Sequence, residues 1–281
     1  MGSFYGHIVA GCCFSLLSMW WYAQTLYRFF AAKKRKTHFR SSVTWPVAIG
    51  GATGNSGQEV DIEAYIFLIL SCFGVVVELI INPLISHHSH LSRVLQHSTL
   101  YANFVIAALV FIAISKRSRT CPNARAITYI ALCVAFIVEG TLFRFHRADH
   151  HAIMKMDMKM HSFQGYALCA CVIVILLEMH NAENVMYPIL RAFFVGLQGT
   201  WFLQIAFTAF APWRHEAHDF GYDVIALMFT WHLSALWICF LIVFYGFERY
   251  FKRSHEFSNG FSVEANYERL SEQLSEPVLS T

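Results

Sequence analysis

The sequence predicts an all-α membrane protein, a bundle of seven transmembrane helices, and three observations lead there. Of its 281 residues 56% are hydrophobic and only 14% charged, and the mean hydropathy is +0.45, an excess that an ordinary water-soluble domain does not carry. The apolar residues gather into seven runs of about 20, the length that crosses a hydrocarbon core about 30 Å thick. Between the runs lie short polar, basic or glycine-bearing stretches. In lipid every backbone N–H and C=O must be paired within the chain, so long apolar runs become helices.

Taken in order, the first span covers 7–30 and ends in Lys33-Lys34-Arg35-Lys36; its length marks a retained span rather than a cleaved signal. The segment 37–61 holds Pro46, Gly50, Gly51, Gly54, Asn55, Ser56 and Gly57 and reads as the longest irregular connection, with the apolar piece Val43 to Ile49 suited to the membrane interface. Further spans follow at 62–82, 94–115, 126–147, 157–179, 186–210 and 223–248. Residues 1–250 form one transmembrane domain without internal repeats. Residues 251–281 form a cytosolic tail, rich in Ser and Glu and expected to be disordered over 255–281.

Orientation follows from the basic residues. With the N-terminus outside the cytosol, the cytosolic segments carry Lys33 to Lys36, Arg40, Lys116, Arg117, Arg119, Arg125, Arg249, Lys252 and Arg253, the larger share. The topology is therefore N-out and C-in. A net charge of +3 dispersed in this way gives no reason for nucleic acid as a partner. Of eight cysteines only Cys121 lies in a polar loop, and no CxxC pair suggests a thiolate metal site or a disulfide framework.

Ionisable residues inside spans are costly, so each is a functional candidate. Glu78 and Asn82 stand four apart on the second span, His97 opens the third, and Glu139 precedes His146, Asp149, His150 and His151 on and after the fourth. Asp157 and His161 are four apart at the start of the fifth, Gln204 lies in the sixth, His218 and Asp219 precede the seventh, and His232 is inside it. With the topology above, all fall in the non-cytosolic half. The cytosolic half reads as nearly all apolar, which suits a one-sided site better than a transport path.

Imidazoles with one or two carboxylates form the usual shell of zinc, and an i, i+4 pair such as Asp157/His161 or His146/His150 offers two ligands from one helix. The candidate ligands are His97, His146, His150, His151, Asp157, His161 and His232, with Glu78 and Glu139 as proton carriers for a metal-bound water. The plainer reading is that these groups bond one another between helices. Haem is disfavoured, because only His232 lies deep.

These residues sit in a chain that resembles the transmembrane protein 45 family. The start Met1-Gly2-Ser3-Phe4-Tyr5-Gly6-His7 with Gly11 and Trp20-Trp21 is similar to that family's, as are Leu197-Gln198-Gly199-Thr200-Trp201-Phe202-Leu203-Gln204-Ile205, Glu139 with His146, Asp157-x3-His161 and Trp231-His232. The likeness runs from residue 1 to about 250. Departures lie in the outer loops: His218-Asp219 stands where the family shows Asp-His, Ala211-Pro212-Trp213 where it shows Pro-Pro, and either His150 or His151 takes the place of its second histidine. The resemblance implies a seven-helix protein of secretory or endosomal membranes or the cell surface, and implies no reaction.

The expected function is that of a multispan protein with an intramembrane metal site, acting as a metal-dependent hydrolase on a lipid or other amphiphile. The alternative is a non-enzymatic trafficking or adaptor protein with a structural polar cluster. Tyr267-Glu268-Arg269-Leu270 fits a tyrosine-based sorting pattern. Small and aromatic residues on the first and sixth spans offer a face for a homodimer.

Overall fold

The computed structural model describes residues 4–49, 58–81, 84, 91–117, 121, 123–145, 151–210 and 221–275. Among them, seven helices are long and apolar enough to cross a membrane. These are α1 (Phe4–Arg35), α2 (Ile62–Val76), α3 (Leu91–Arg117), α4 (Ala124–Arg144), α5 (His151–His180), α6 (Met186–Ile205) and α7 (Tyr222–Ser275). A π-helical turn extends α2 over Val77–Ile81 and another extends α6 over Ala206–Phe210. The membrane-crossing parts of the helices match the expected spans to within about six residues at each end, because apolar runs of this length pair their backbone in lipid by forming helix. The protein is an integral membrane protein.

Three details depart from expectation. The connection after α1 contains a two-stranded antiparallel pair, β1 (Val47–Ile49) against β2 (Gln58–Val60), with Val47 opposite Val60 and Ile49 opposite Gln58. The β-branched Val47, Ile49 and Val60 favour extended chain. Val43, expected at the interface, is a core residue at 1% exposure. Finally, α7 continues as helix to Ser275, where the composition suggested disorder; Glu, Ala, Arg, Leu and Gln in its last turns are good helix formers.

Packing runs in the order α2, α3, α4, α5, α6, α1, with α7 laid against α1 and α6. The most enclosed helix is α6, whose span is 61% buried, against 11% for α7. α1 and α6 approach each other closely, and small residues permit it. A Cβ on Gly199 would stand 2.5 Å from the Ser15 backbone nitrogen and 2.9 Å from the Gly11 carbonyl; one on Gly196 would stand 2.5 Å from Ser18 Oγ. Without a hydrophobic drive between helices in lipid, such contact is the main source of association. Ser18 also donates to the Ala192 carbonyl at 2.6 Å. The motif from Leu197 to Ile205 is thus first a packing motif. Opposite faces show Leu16, Met19, Ile69, Phe73, Ile137, Ile173 and Ile242 to lipid.

Candidate functional site

Three buried side chains converge where α1, α5 and the end of α6 meet. The donor atoms of His7, Asp157 and His161 all lie within 4.8 Å of one another. His161 Nε2 is 3.3 Å from Asp157 Oδ1, one helical turn away on α5. His7 comes from the first turn of α1, and its ring lies 5.7 Å from that of His161. Aromatic rings wall the group: His7 stacks on Phe210 at 4.7 Å and His161 on Phe143 at 5.1 Å, while Phe202 touches both imidazoles. Phe210 belongs to the π-helical turn, which re-aims the end of α6 toward α1. Such turns recur at functional sites because one extra residue shifts the following side chains around the axis.

The spacing suits a metal. With bonds of about 2.0–2.2 Å at tetrahedral angles, two ligand atoms stand roughly 3.3–3.6 Å apart. The Asp157–His161 pair already has that separation, and small rotations about the side-chain bonds bring His7 in. Two imidazoles and one carboxylate also leave a fourth position open.

A second polar layer lies one turn closer to the basic end of α1. Phe143 of α4 is level with His161 through their stacking, so Glu139, four residues earlier, and Gln164, three residues beyond His161, share a depth. Trp201 Nε1 donates to the Met160 carbonyl at 2.9 Å, which sets the register of α6 and brings Gln198, three residues earlier, to the same layer. Glu139, Gln164 and Gln198 are each 0% exposed, and their side-chain oxygens and nitrogens have no hydrogen-bond partner among the described residues. Buried polar atoms are nearly always paired, with protein, water or ligand. Tyr101 of α3 packs over Gly74 of α2.

The remaining candidates are placed elsewhere. His97 pairs with Glu78 at 3.3 Å, and Glu78 lies in the π-helical turn of α2. His232 lies 3.2 Å from Gln204 Oε1, and Gln204 Nε2 donates to Thr208 at 2.7 Å; among the described residues it is His7 of α1 that joins Asp157 and His161. His146, His150, Asn82, His218 and Asp219 lie outside the described residues, and His151 opens α5 with its side chain outside them.

The expectation of an apolar cytosolic half is corrected by the opposite end of the bundle. Arg191 and Glu178, both fully buried, pair at 2.8 Å. Tyr129 donates to Glu178 at 2.8 Å, and Arg191 donates to the carbonyls of Ser42 at 2.9 Å and Val43 at 3.3 Å. Its guanidinium lies 4.3 Å over the Trp21 ring. Trp21 Nε1 donates to Glu63, which also accepts from the Trp45 amide at 3.0 Å. Asp61 caps α2 by accepting from Ala64 N at 3.0 Å and takes the Thr44 hydroxyl as well. This network pins the chain between α1 and α2 to the bundle. Residues 157, 161, 164, 171 and 178 of α5 are all buried on one face, polar at both ends with Cys171 in the apolar core between them.

Sequence reasoning missed His7, Gln164, Gln198, Glu178 and Arg191. The stripe on α5 was the available signal: Asp157, Gln164, Cys171 and Glu178 recur every seventh residue, the period of one helix face. A model of a family of unknown function, DUF716, matches residues 125–246, which takes in Glu139, Asp157, His161, Gln164 and His232 and stops short of His7, Glu78 and His97.

Proposed function

We propose that this protein binds one zinc ion inside the membrane through His7, Asp157 and His161, and hydrolyses a lipid or other amphiphile there. One observation carries the reading: three buried donors from two helices lie within 4.8 Å of one another, in the His and carboxylate combination of catalytic zinc sites. Zinc with an open position supplies a water of lowered pKa and polarises a carbonyl. The aromatic walls exclude bulk water. Glu139, one layer away, is the group proposed to take a proton from the attacking water and return it to the leaving group. Gln164 and Gln198 are the groups proposed to hold the polar head of the substrate.

The topology proposed with it is N-out and C-in, supported by the distribution of Lys and Arg along the chain. The resemblance to the transmembrane protein 45 family supports secretory or endosomal membranes, or the cell surface, as the location. A second reading keeps the polar groups as structural glue in a trafficking protein. Its support is that Asp157–His161 and Glu78–His97 are each matched acid and imidazole pairs.

The test is zinc content of the detergent-purified full chain by elemental analysis. About one zinc per chain is expected, retained in His232→Ala and lost in His7→Ala and His161→Ala. A wild-type ratio near zero sinks the metal reading in favour of the structural one. If zinc binds, product release from mixed membrane lipids, followed by mass spectrometry and absent in His161→Ala, tests the hydrolase step.

A further inference from the structure

The end of α1 carries a second built feature, remote from the histidines. Its last turn closes in a Schellman motif: Lys36 takes φ 54°, its amide bonds the Lys33 carbonyl at 3.2 Å, and the Thr37 amide bonds Ala32 at 2.9 Å. The chain reverses there and runs back along α1. Phe39 is held between Phe29, at 5.9 Å, and Trp45, at 6.5 Å. The Ser41 amide is tied to the Ala182 carbonyl at 2.8 Å. Residues 37–45, the first part of a segment that composition marked as irregular, are thus held against the bundle.

What the reversal borders is an open cavity of about 390 Å³, and its lining includes Arg28, Arg35, His38 and Arg40. On α1, Arg28, Ala32 and Arg35 follow i, i+4, i+7 and share one face, with the small Ala31 and Ala32 leaving room between the two guanidinium groups. Among the described residues no acidic side chain lines the cavity. Glu63, whose charge reaches Arg28, already accepts from Trp21 and Trp45. Arg28 is held 4.5 Å over the Trp45 ring, and its Nε is buried without a hydrogen-bond partner. Tyr27, half exposed beside it, marks the aromatic belt at headgroup depth.

Orientation rules need positive charge near this span end, and Lys33, Lys34 and Lys36 meet that need from outside the cavity. They give no reason for Arg35, His38 and Arg40 to join Arg28 around one concavity whose described lining holds no carboxylate. Guanidinium forks match phosphate oxygens two at a time, and weak hydration lets them work at an interface. We infer that this cavity binds a phosphate monoester on a membrane lipid, such as phosphatidate or a phosphorylated inositol lipid, in the leaflet at this end. A singly charged phosphodiester would leave most of the positive charge unmatched, so the doubly charged monoester is the better fit. The site is independent of the proposed zinc site.

Native mass spectrometry of the full chain in detergent tests this, with dioctanoyl phosphatidate, dioctanoyl phosphatidylinositol 4-phosphate, dioctanoyl phosphatidylcholine and soluble glycerol 3-phosphate as probes. Retention of the monoester lipids is expected to exceed that of phosphatidylcholine and to fall about tenfold or more in Arg35→Gln/Arg40→Gln. Lys33→Gln/Lys34→Gln removes equal charge outside the cavity and is expected to leave it unchanged. Equal loss in both double variants would mean diffuse attraction and overturn the site. Glycerol 3-phosphate held as well as the lipids would overturn the lipid assignment. Should the neutral variant fail to insert, Arg35→Lys/Arg40→Lys keeps the charge and removes the forks. A several-fold loss is expected there, and unchanged retention refutes the inference.

Discussion

Replacing Arg191 by Met isolates the network that ties the loop after α1 to the bundle. The side chain is fully buried, pairs with Glu178 at 2.8 Å, donates to two loop carbonyls and covers Trp21. Met fills a similar volume, so the packing loss is small and the polar loss dominates. After the change Glu178 stays buried with Tyr129 as its remaining donor, and the carbonyls of Ser42 and Val43 lose theirs. Removing one partner of a buried ion pair costs about 3–5 kcal/mol. At about 2–4 °C per kcal/mol for a chain of this size, the expected fall in Tm is roughly 6–20 °C. Adding Glu178→Gln removes the stranded charge while keeping an acceptor for Tyr129, so the double variant should regain at least half of the loss. Thermal unfolding in detergent, followed by tryptophan fluorescence, measures both, and hydrogen exchange should speed at residues 41–45. A single variant within 2 °C of wild type, or a double variant whose losses simply add, would refute the reasoning.

Two further outcomes follow from packing and from the unpaired layer. Gly199→Ala puts a Cβ 2.5 Å from the Ser15 backbone, which cannot give way as a side-chain tip can, so a loss of about 1–3 kcal/mol is expected; Gly165→Ala, with nothing within 4 Å of its Cβ, should be neutral or stabilising by up to about 1 kcal/mol. Equal Tm values for the two would discard the α1–α6 seam as the tight contact. Glu139→Leu replaces a fully buried acid that has no hydrogen-bond partner among the described residues, so stability should hold or rise by about 1–3 kcal/mol, while zinc stays bound and any hydrolysis disappears. A Tm lowered by several degrees would show that Glu139 serves the fold.

The spans were legible because hydropathy over 20 residues is a one-dimensional signal that lipid converts directly into helix. Asp157 and His161 were legible for a related reason, since a four-residue spacing fixes a shared face within one helix. His7 was not. A lone histidine in the first apolar run has no partner at helical spacing, and only the glycine seam between α1 and α6 carries it to His161. His232 shows the converse: residues matched in depth across spans can still point to different faces, and His232 turns to Gln204. Gln164 and Gln198 carry no charge and so escaped a search for ionisable groups. Arg191 and Glu178 sit near the ends of adjoining helices, where they read as ordinary terminal polar residues until the loop carbonyls close over them.

The two ends of the bundle differ in a way that bears on where chemistry belongs. At the Arg191 end each donor and acceptor of the buried pair meets another protein group, Tyr129, Ser42 and Val43 among them, which is what a bundle needs from polar residues used as glue. At the His7 end six buried polar atoms, those of Glu139, Gln164 and Gln198, have no hydrogen-bond partner among the described residues. A fold gains nothing from unpaired polar atoms in hydrocarbon, where each costs stability. They persist where something outside the chain, such as water, an ion or a substrate head, completes them. The same logic separates Arg191 from Arg28: the first guanidinium is enclosed by protein acceptors, and the second borders a cavity with no carboxylate in its described lining. It also predicts opposite signs for one kind of change. An apolar residue at 191 should destabilise the protein and one at 139 should not, and that contrast of signs assigns glue to one end and a binding site to the other.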